Sequence, residues 1–132
     1  MRPPTIAIDL DGTLYKQDKW NRKTLGNLLP GAMEQLELFK AAGWDIVIHT
    51  ARLPCDFPDV KDILKKDKVP YDKLWEGVGK PLADVYLDDR GVTFKGNWEG
   101  MFDKINEWNP WYGDKFLRPP PGSEDEQLCK SR

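Results

Sequence analysis

Two short apolar runs in this chain each break into a pair of carboxylates. Residues 5–9, TIAID, end at Asp9 and lead into Leu10, Asp11, Gly12 and Thr13; residues 83–89, ADVYLDD, end at Asp88 and Asp89. A short, continuous apolar run stopped by acid or Gly reads as a strand buried on both faces. WDIVIHT at 44–50 and YDKLWEG at 71–77 lie between them as two further strands, and GVTF at 91–94 predicts a fifth. Strands of this kind belong to parallel sheets, and parallel neighbours need crossover connections, usually helices.

The intervening spacing supplies those helices. Residues 31–42 set Met33, Leu36, Phe39 and Ala42 at helical intervals, after Pro30-Gly31 and before Gly43. Residues 57–67 do the same with Val60, Ile63 and Leu64, while Lys61, Lys65, Lys66 and Lys68 read as a solvated face rather than a nucleic-acid patch. A last helix over 98–108 aligns Trp98, Met101, Phe102, Ile105 and Trp108. Residues 14–29 read as a loop or small hairpin, with Tyr15 and Trp20 as flap packing. The fold class is therefore α/β: a doubly wound, Rossmann-like parallel sheet with helices on both faces, as a single domain over 1–108. Residues 109–132 form a Pro- and aromatic-rich tail, expected to be pinned by Trp111, Tyr112 and Phe116 and disordered toward its end.

Composition closes off several alternatives. A chain of 132 residues supports one core, and a formal charge of −2 sets up no overall field toward nucleic acid or anionic lipid. No apolar run reaches the roughly 18 residues of a membrane span. Met1-Arg2-Pro3-Pro4 runs straight into the first strand, so no signal peptide and a cytoplasmic location are expected. Cys55 and Cys129 are too few for a disulfide framework and are expected as reduced thiols.

Open parallel sheets carry their chemistry at the carboxyl ends of the strands. There the chain sets Asp9 and Asp11; Thr50, followed by Ala51 and Arg52; Lys80, ahead of the fourth strand; and Asp88 and Asp89, followed by Arg90. Converging carboxylates repel one another, and a hard divalent cation relieves that repulsion; Mg²⁺ suits a few carboxylates, waters and a phosphate. Lys80 and Thr50 can hold phosphoryl oxygens. One carboxylate can serve as nucleophile, and a second two residues later, on the same side of an extended chain, as general acid/base. Gly12 permits a sharp turn, and Thr13 can bond back across it. Arg52 and Arg90 suit a second phosphate or carboxylate, or else structural salt bridges at the sheet rim. His49 precedes Thr50 and is expected to face the other way, as a hydrogen-bonded core histidine.

These motifs resemble those of the haloacid dehalogenase-like (HAD) phosphohydrolase superfamily. DLDGT at 9–13 resembles its first motif, VIHT ending at Thr50 its second, GKP with Lys80 its third and VYLDD its fourth, all in the family's order. The resemblance implies a HAD-like fold and a Mg²⁺-dependent phosphomonoesterase acting on a phosphorylated substrate. Asp9 would be nucleophile and metal ligand. Asp11 would be general acid/base and bind Mg²⁺ through its backbone carbonyl. Thr50 and Lys80 would hold the phosphoryl group, and Asp88 and Asp89 would complete the metal site, directly or through water. Gly12, Thr13, Ala51, Arg52 and Arg90 would face the substrate. Dehalogenases of the family lack the second acid, so carbon–halogen hydrolysis is not expected. The stretches from Thr13 to Asp45 and from Thr50 to Lys80 have no room for a cap domain. The site is therefore expected to be open, covered by the 14–29 flap, the tail or a second copy of the chain. LDDRG followed by NW is similar to small capless phosphatases, including the end-processing phosphatase part of polynucleotide kinases. That motivates a nucleotide, a nucleic-acid end or a sugar phosphate as substrate. A non-enzymatic phospho-receiver module and a degenerate binding module are the competing readings, although receivers place their acid pair early and their Lys last.

Overall fold

The structure, a computed structural model, describes residues 2–17, 21–113 and 115. In chain order its elements are β1 (Thr5–Ile8), α1 (Ala32–Ala41), β2 (Asp45–Ile48), a one-turn 3₁₀ helix (Pro54–Asp56), α2 (Phe57–Lys66), β3 (Lys73–Leu74), β4 (Val85–Leu87) and α3 (Met101–Glu107). The four strands form one parallel sheet in the order β3-β2-β1-β4. Two crossovers step outward from β1 on one side, and the chain then returns to lay β4 on the other, as in a doubly wound α/β fold.

Right-handed crossovers running in one direction put their helices on one face. Leu36 of α1 and Phe57, Val60 and Leu64 of α2 accordingly share one buried cluster with Ile6, Ile8, Ile46 and Ile48. The helix ends follow from local chemistry. At the C-terminus of α1, Gly43 takes φ +90°, its N–H bonds Lys40 O, and Trp44 N–H bonds Phe39 O, which is a Schellman motif. The Phe39 and Trp44 rings meet edge-on at 5.4 Å across it. Pro58 stands in the first turn of α2, where its missing N–H leaves no bond broken.

Residues 14–17 and 21–29 flank the tip of the expected hairpin-like excursion, with Lys16 N–H bonding Asn27 O and Leu29 N–H bonding Leu14 O. Tyr15 anchors it: the ring is fully buried and its hydroxyl donates to Asp67 Oδ2 at 2.7 Å. Burial, and then the Asp67 contact, push the phenol pKa well above its ordinary value. Tyr15 thus packs the excursion, as read from the sequence; Trp20 lies outside the described residues.

Three expectations change. GVTF forms no strand, and Phe94 instead tilts against Trp98 at 5.3 Å. The last helix is shorter, and its apolar side is not a core face: Trp98, Phe102 and Ile105 are exposed, and α3 has no buried residue. Hydrophobic periodicity marks a face but not whether another element meets it. Cys55, expected as a reduced thiol, is disulfide-bonded, so the cysteines carry no argument for a reducing compartment. Cys129, Phe116 and the rest of the tail from 116 on lie outside the described residues. Among the described residues no helix is long and apolar enough to cross a membrane.

At the amino end of the sheet, two aspartates tie neighbouring strands together. Asp72 accepts Ile46 N–H and Lys40 Nζ–H, and Asp84 accepts Thr5 N–H and a bidentate pair from Arg2. Burial raises the Asp72 pKa, but the Lys40 and Ile46 hydrogen bonds outweigh it and leave it lowered. The Arg2 hydrogen bond, then Thr5 N–H, hold Asp84 far below the usual carboxylate range. A lowered folded-state pKa contributes stability that is present above the unfolded value of about 4 and is lost as pH falls toward the folded one. Asp84→Asn is therefore expected to flatten the loss of stability between about pH 4 and pH 2, measured by urea unfolding at each pH.

Candidate active site

Register builds the site. Ala7 lies opposite both Val47 and Tyr86. The ladders run one step further, because Asp9 N–H bonds Leu87 O and His49 N–H bonds Ile8 O, each at 2.9 Å. Side chains alternate along a strand, so Asp9, His49 and Asp88 form the next row on the same face, opposite the helix-covered isoleucines. That row opens into a cavity of about 320 Å³ at the carboxyl end of the sheet. Ala7 and Tyr86 line it toward the sheet, and Thr50, Ala51, Lys80, Arg90 and Gly91 join Asp9, His49 and Asp88 around it.

Six of the residues singled out in the sequence thus meet in one cavity: Asp9, Thr50, Ala51, Lys80, Asp88 and Arg90. Lys80 is placed by Tyr86. Its Nζ stands 3.9 Å from the Tyr86 ring centroid, and the Tyr86 hydroxyl donates to Pro81 O and accepts Ala83 N–H. A cation over an aromatic face is worth about 0.5–1 kcal/mol at an exposed site. Asp88 shapes its own turn, with Oδ1 accepting the N–H groups of Arg90 and Gly91. His49 corrects an expectation: it lines the cavity half-buried instead of packing away from it. The ladder carries alternation through His49 and so puts it on the Asp9 face; Thr50 lies one residue beyond the last ladder hydrogen bond, where alternation no longer turns it away from the cavity.

Five candidate residues, Asp11, Gly12, Thr13, Arg52 and Asp89, do not line that cavity. Arg52 and Asp11 form a buried bidentate pair, Nε to Oδ2 and Nη2 to Oδ1, each at 2.7 Å, with both side chains under 10% exposed. The same guanidinium donates to the carbonyls of Asn21, Arg22 and Thr24. Of the two sequence readings of Arg52, this geometry is the structural salt bridge: it ties Asp11 to the 14–29 hairpin. Asp89 is buried and accepts the Tyr112 hydroxyl; Arg90 Nε lies 4.0 Å from the same oxygen. Gly12, at φ +87°, has no room for a side chain, since a Cβ there would collide with Asp89 and the Tyr112 ring. The Thr13 hydroxyl is buried with no hydrogen-bond partner among the described residues. The turn is closed instead by Leu14 and Tyr15 N–H bonding Leu10 O, each at 3.0 Å.

Among the described residues, no three His, Cys, Asp or Glu side chains converge as a metal-ligand cluster. The acids lining the cavity are Asp9 and Asp88. Burial, then the charge of Lys80, push the His49 pKa below its ordinary value, and Asp88 pulls in the opposite direction. Sequence reasoning missed Tyr86 and the buried Arg22–Asp56 pair at this end of the sheet, and it read Trp111 and Tyr112 as pins for the tail without their partners, Gly12 and Asp89. The one legible signal was the aromatic inside VYLDD.

No protein-family model and no curated protein matches the chain. Among solved structures, a conserved protein from Bacteroides thetaiotaomicron is similar over 80% of this chain and 92% of its own, with 22% identity and a TM-score of 0.57, which shows a shared fold. A Vibrio cholerae protein aligns over 78% of this chain and 97% of its own, at 26% identity and a TM-score of 0.47. A chain of the Pnkp1/Rnl/Hen1 complex aligns over 78% of this chain and 33% of its own, at 21% identity and a TM-score of 0.49.

Two outcomes are expected. Arg52→Ala strands the buried Asp11 carboxylate and should lower unfolding stability by about 3–5 kcal/mol in denaturant titration. The chain has one histidine, so its imidazole resonances in an NMR pH titration report His49 alone and should give a midpoint below about 6.5.

Proposed function

We propose that this chain is a HAD-like, Mg²⁺-dependent phosphomonoesterase that works through an aspartyl-phosphate on Asp9. The observation that carries the reading is the shared row of Asp9 and Asp88 on adjacent strands, opening into one cavity with Thr50 and Lys80. The donor set fits Mg²⁺, which takes one or two carboxylates and completes its shell with water and phosphate oxygens. Asp9 and Asp88 would hold the ion, and bound there it would neutralise charge on the phosphoryl oxygens.

The chain's own groups do the rest. Thr50 O–H and Lys80 Nζ would hold the equatorial oxygens with phosphorus facing Asp9. Asp9 attacks phosphorus as the ester P–O bond breaks, and the leaving oxygen takes a proton from Asp11. A water then attacks phosphorus and gives its proton to the Asp11 carboxylate. The bond to Asp9 breaks, and inorganic phosphate leaves. Asp11 reaches this task only when one of its oxygens leaves Arg52. The openness of the cavity suits a phosphate presented on a larger molecule, of which nucleotides, nucleic-acid ends and sugar phosphates are the classes to screen.

The Arg52–Asp11 pair supports a second reading, a phospho-receiver whose aspartyl-phosphate persists because the second acid is engaged. The protein is expected to hydrolyse p-nitrophenyl phosphate with Mg²⁺ and to lose that activity with EDTA. Asp9→Asn should reduce turnover to background; robust turnover in that variant would exclude the covalent route. An adduct that lasts hours after an acetyl phosphate pulse would favour the receiver.

A further inference from the structure

The residues after α3 return to the carboxyl end of the sheet and touch both acid-bearing loops. Trp111 Nε1–H donates to Gly12 O at 2.8 Å, a contact between residues 99 apart in sequence. Tyr112 O–H donates to Asp89 Oδ2 at 2.5 Å. The two rings meet edge-on at 5.4 Å. The segment is itself held, since Arg90 Nη1–H donates to Lys115 O, and Lys115 Nζ donates to the carbonyls of Asn106 and Trp108 at the end of α3.

Packing alone would explain two aromatic rings here. It does not explain where their polar atoms go. One is spent on the loop after β1 and the other on the loop after β4. Between those contacts the Asp89 carboxylate sits against Gly12 so closely that no side chain fits. Asp9 lies just ahead of the first contact and Asp88 is adjacent to the second. We infer that Trp111 and Tyr112 are positioning residues that hold these loops at the separation at which Asp9 and Asp88 face one cation. The inference rests on the Mg²⁺-dependent reading given above. Groups bonded directly to metal ligands change metal affinity or activity by about 10–100-fold when removed, and Trp111 and Tyr112 act one step further out, on residues of the same loops, where the lower end of that range is expected.

Tyr112→Phe removes the donor to Asp89 and keeps the ring; Trp111→Phe removes the donor to Gly12. Mg²⁺ alone is titrated into wild type and each variant by calorimetry at 25 °C, with circular dichroism as a check on folding. Tyr112→Phe is expected to raise the Mg²⁺ Kd about 10-fold, and Trp111→Phe should shift it in the same direction. The Mg²⁺ needed for half-maximal phosphatase activity should rise in parallel. A role in stability alone would lower the thermal midpoint and leave Kd unmoved, and that result overturns the inference while leaving the proposed function intact. A wild-type protein that binds no Mg²⁺ overturns both.

Discussion

Everything at the candidate site depends on β1 being paired on both edges in one register. Its main chain is bonded to β2 on one side and to β4 on the other, with Ala7 level with both Val47 and Tyr86. A one-residue slip of either neighbour would turn its entire side-chain set to the opposite face. His49 or Asp88 would then leave the row that Asp9 begins. The isoleucines prevent that slip. Ile6, Ile8, Ile46 and Ile48 occupy the helix-covered face, and exposing any one fully would lose about 1.5–3 kcal/mol of burial.

The buried Asp11–Arg52 pair is the second organising element. Two charges removed from water are tolerable only when their hydrogen-bonding capacity is nearly filled. Arg52 meets that condition with two bonds to Asp11 and three to carbonyls of the 14–29 hairpin. The excursion is thereby joined to the loop after β1, and its described residues, 14–17 and 21–29, do not line the cavity.

The opposite edge of the molecule is lightly covered. β4 has only three residues, and all are exposed, as is most of α3. A very short edge strand offers little template for pairing with another chain. The Trp111–Tyr112 segment lies along this side and connects it to the centre of the sheet through Gly12 and Asp89.

The sequence by itself determined the strands β1 to β4, both long helices, the parallel sheet and the carboxyl-end location of the acids. Those features come from local periodicity and turn residues, which act over a few positions. It gave no sign of the part played by Asp72 and Asp84: each stands just before a strand, and only the sheet shows that it accepts an N–H at the start of the neighbouring strand. Tertiary structure alone decided which acid of each pair enters the cavity. Asp9 and Asp88 are level across a ladder, whereas Asp11 meets an arginine 41 residues away and Asp89 a tyrosine 23 residues away. It decided as well that GVTF is not a strand and that the apolar side of α3 lies exposed. An apolar residue in sequence states only that burial would be favourable. Whether a partner surface arrives is settled by long-range packing, which no local pattern encodes.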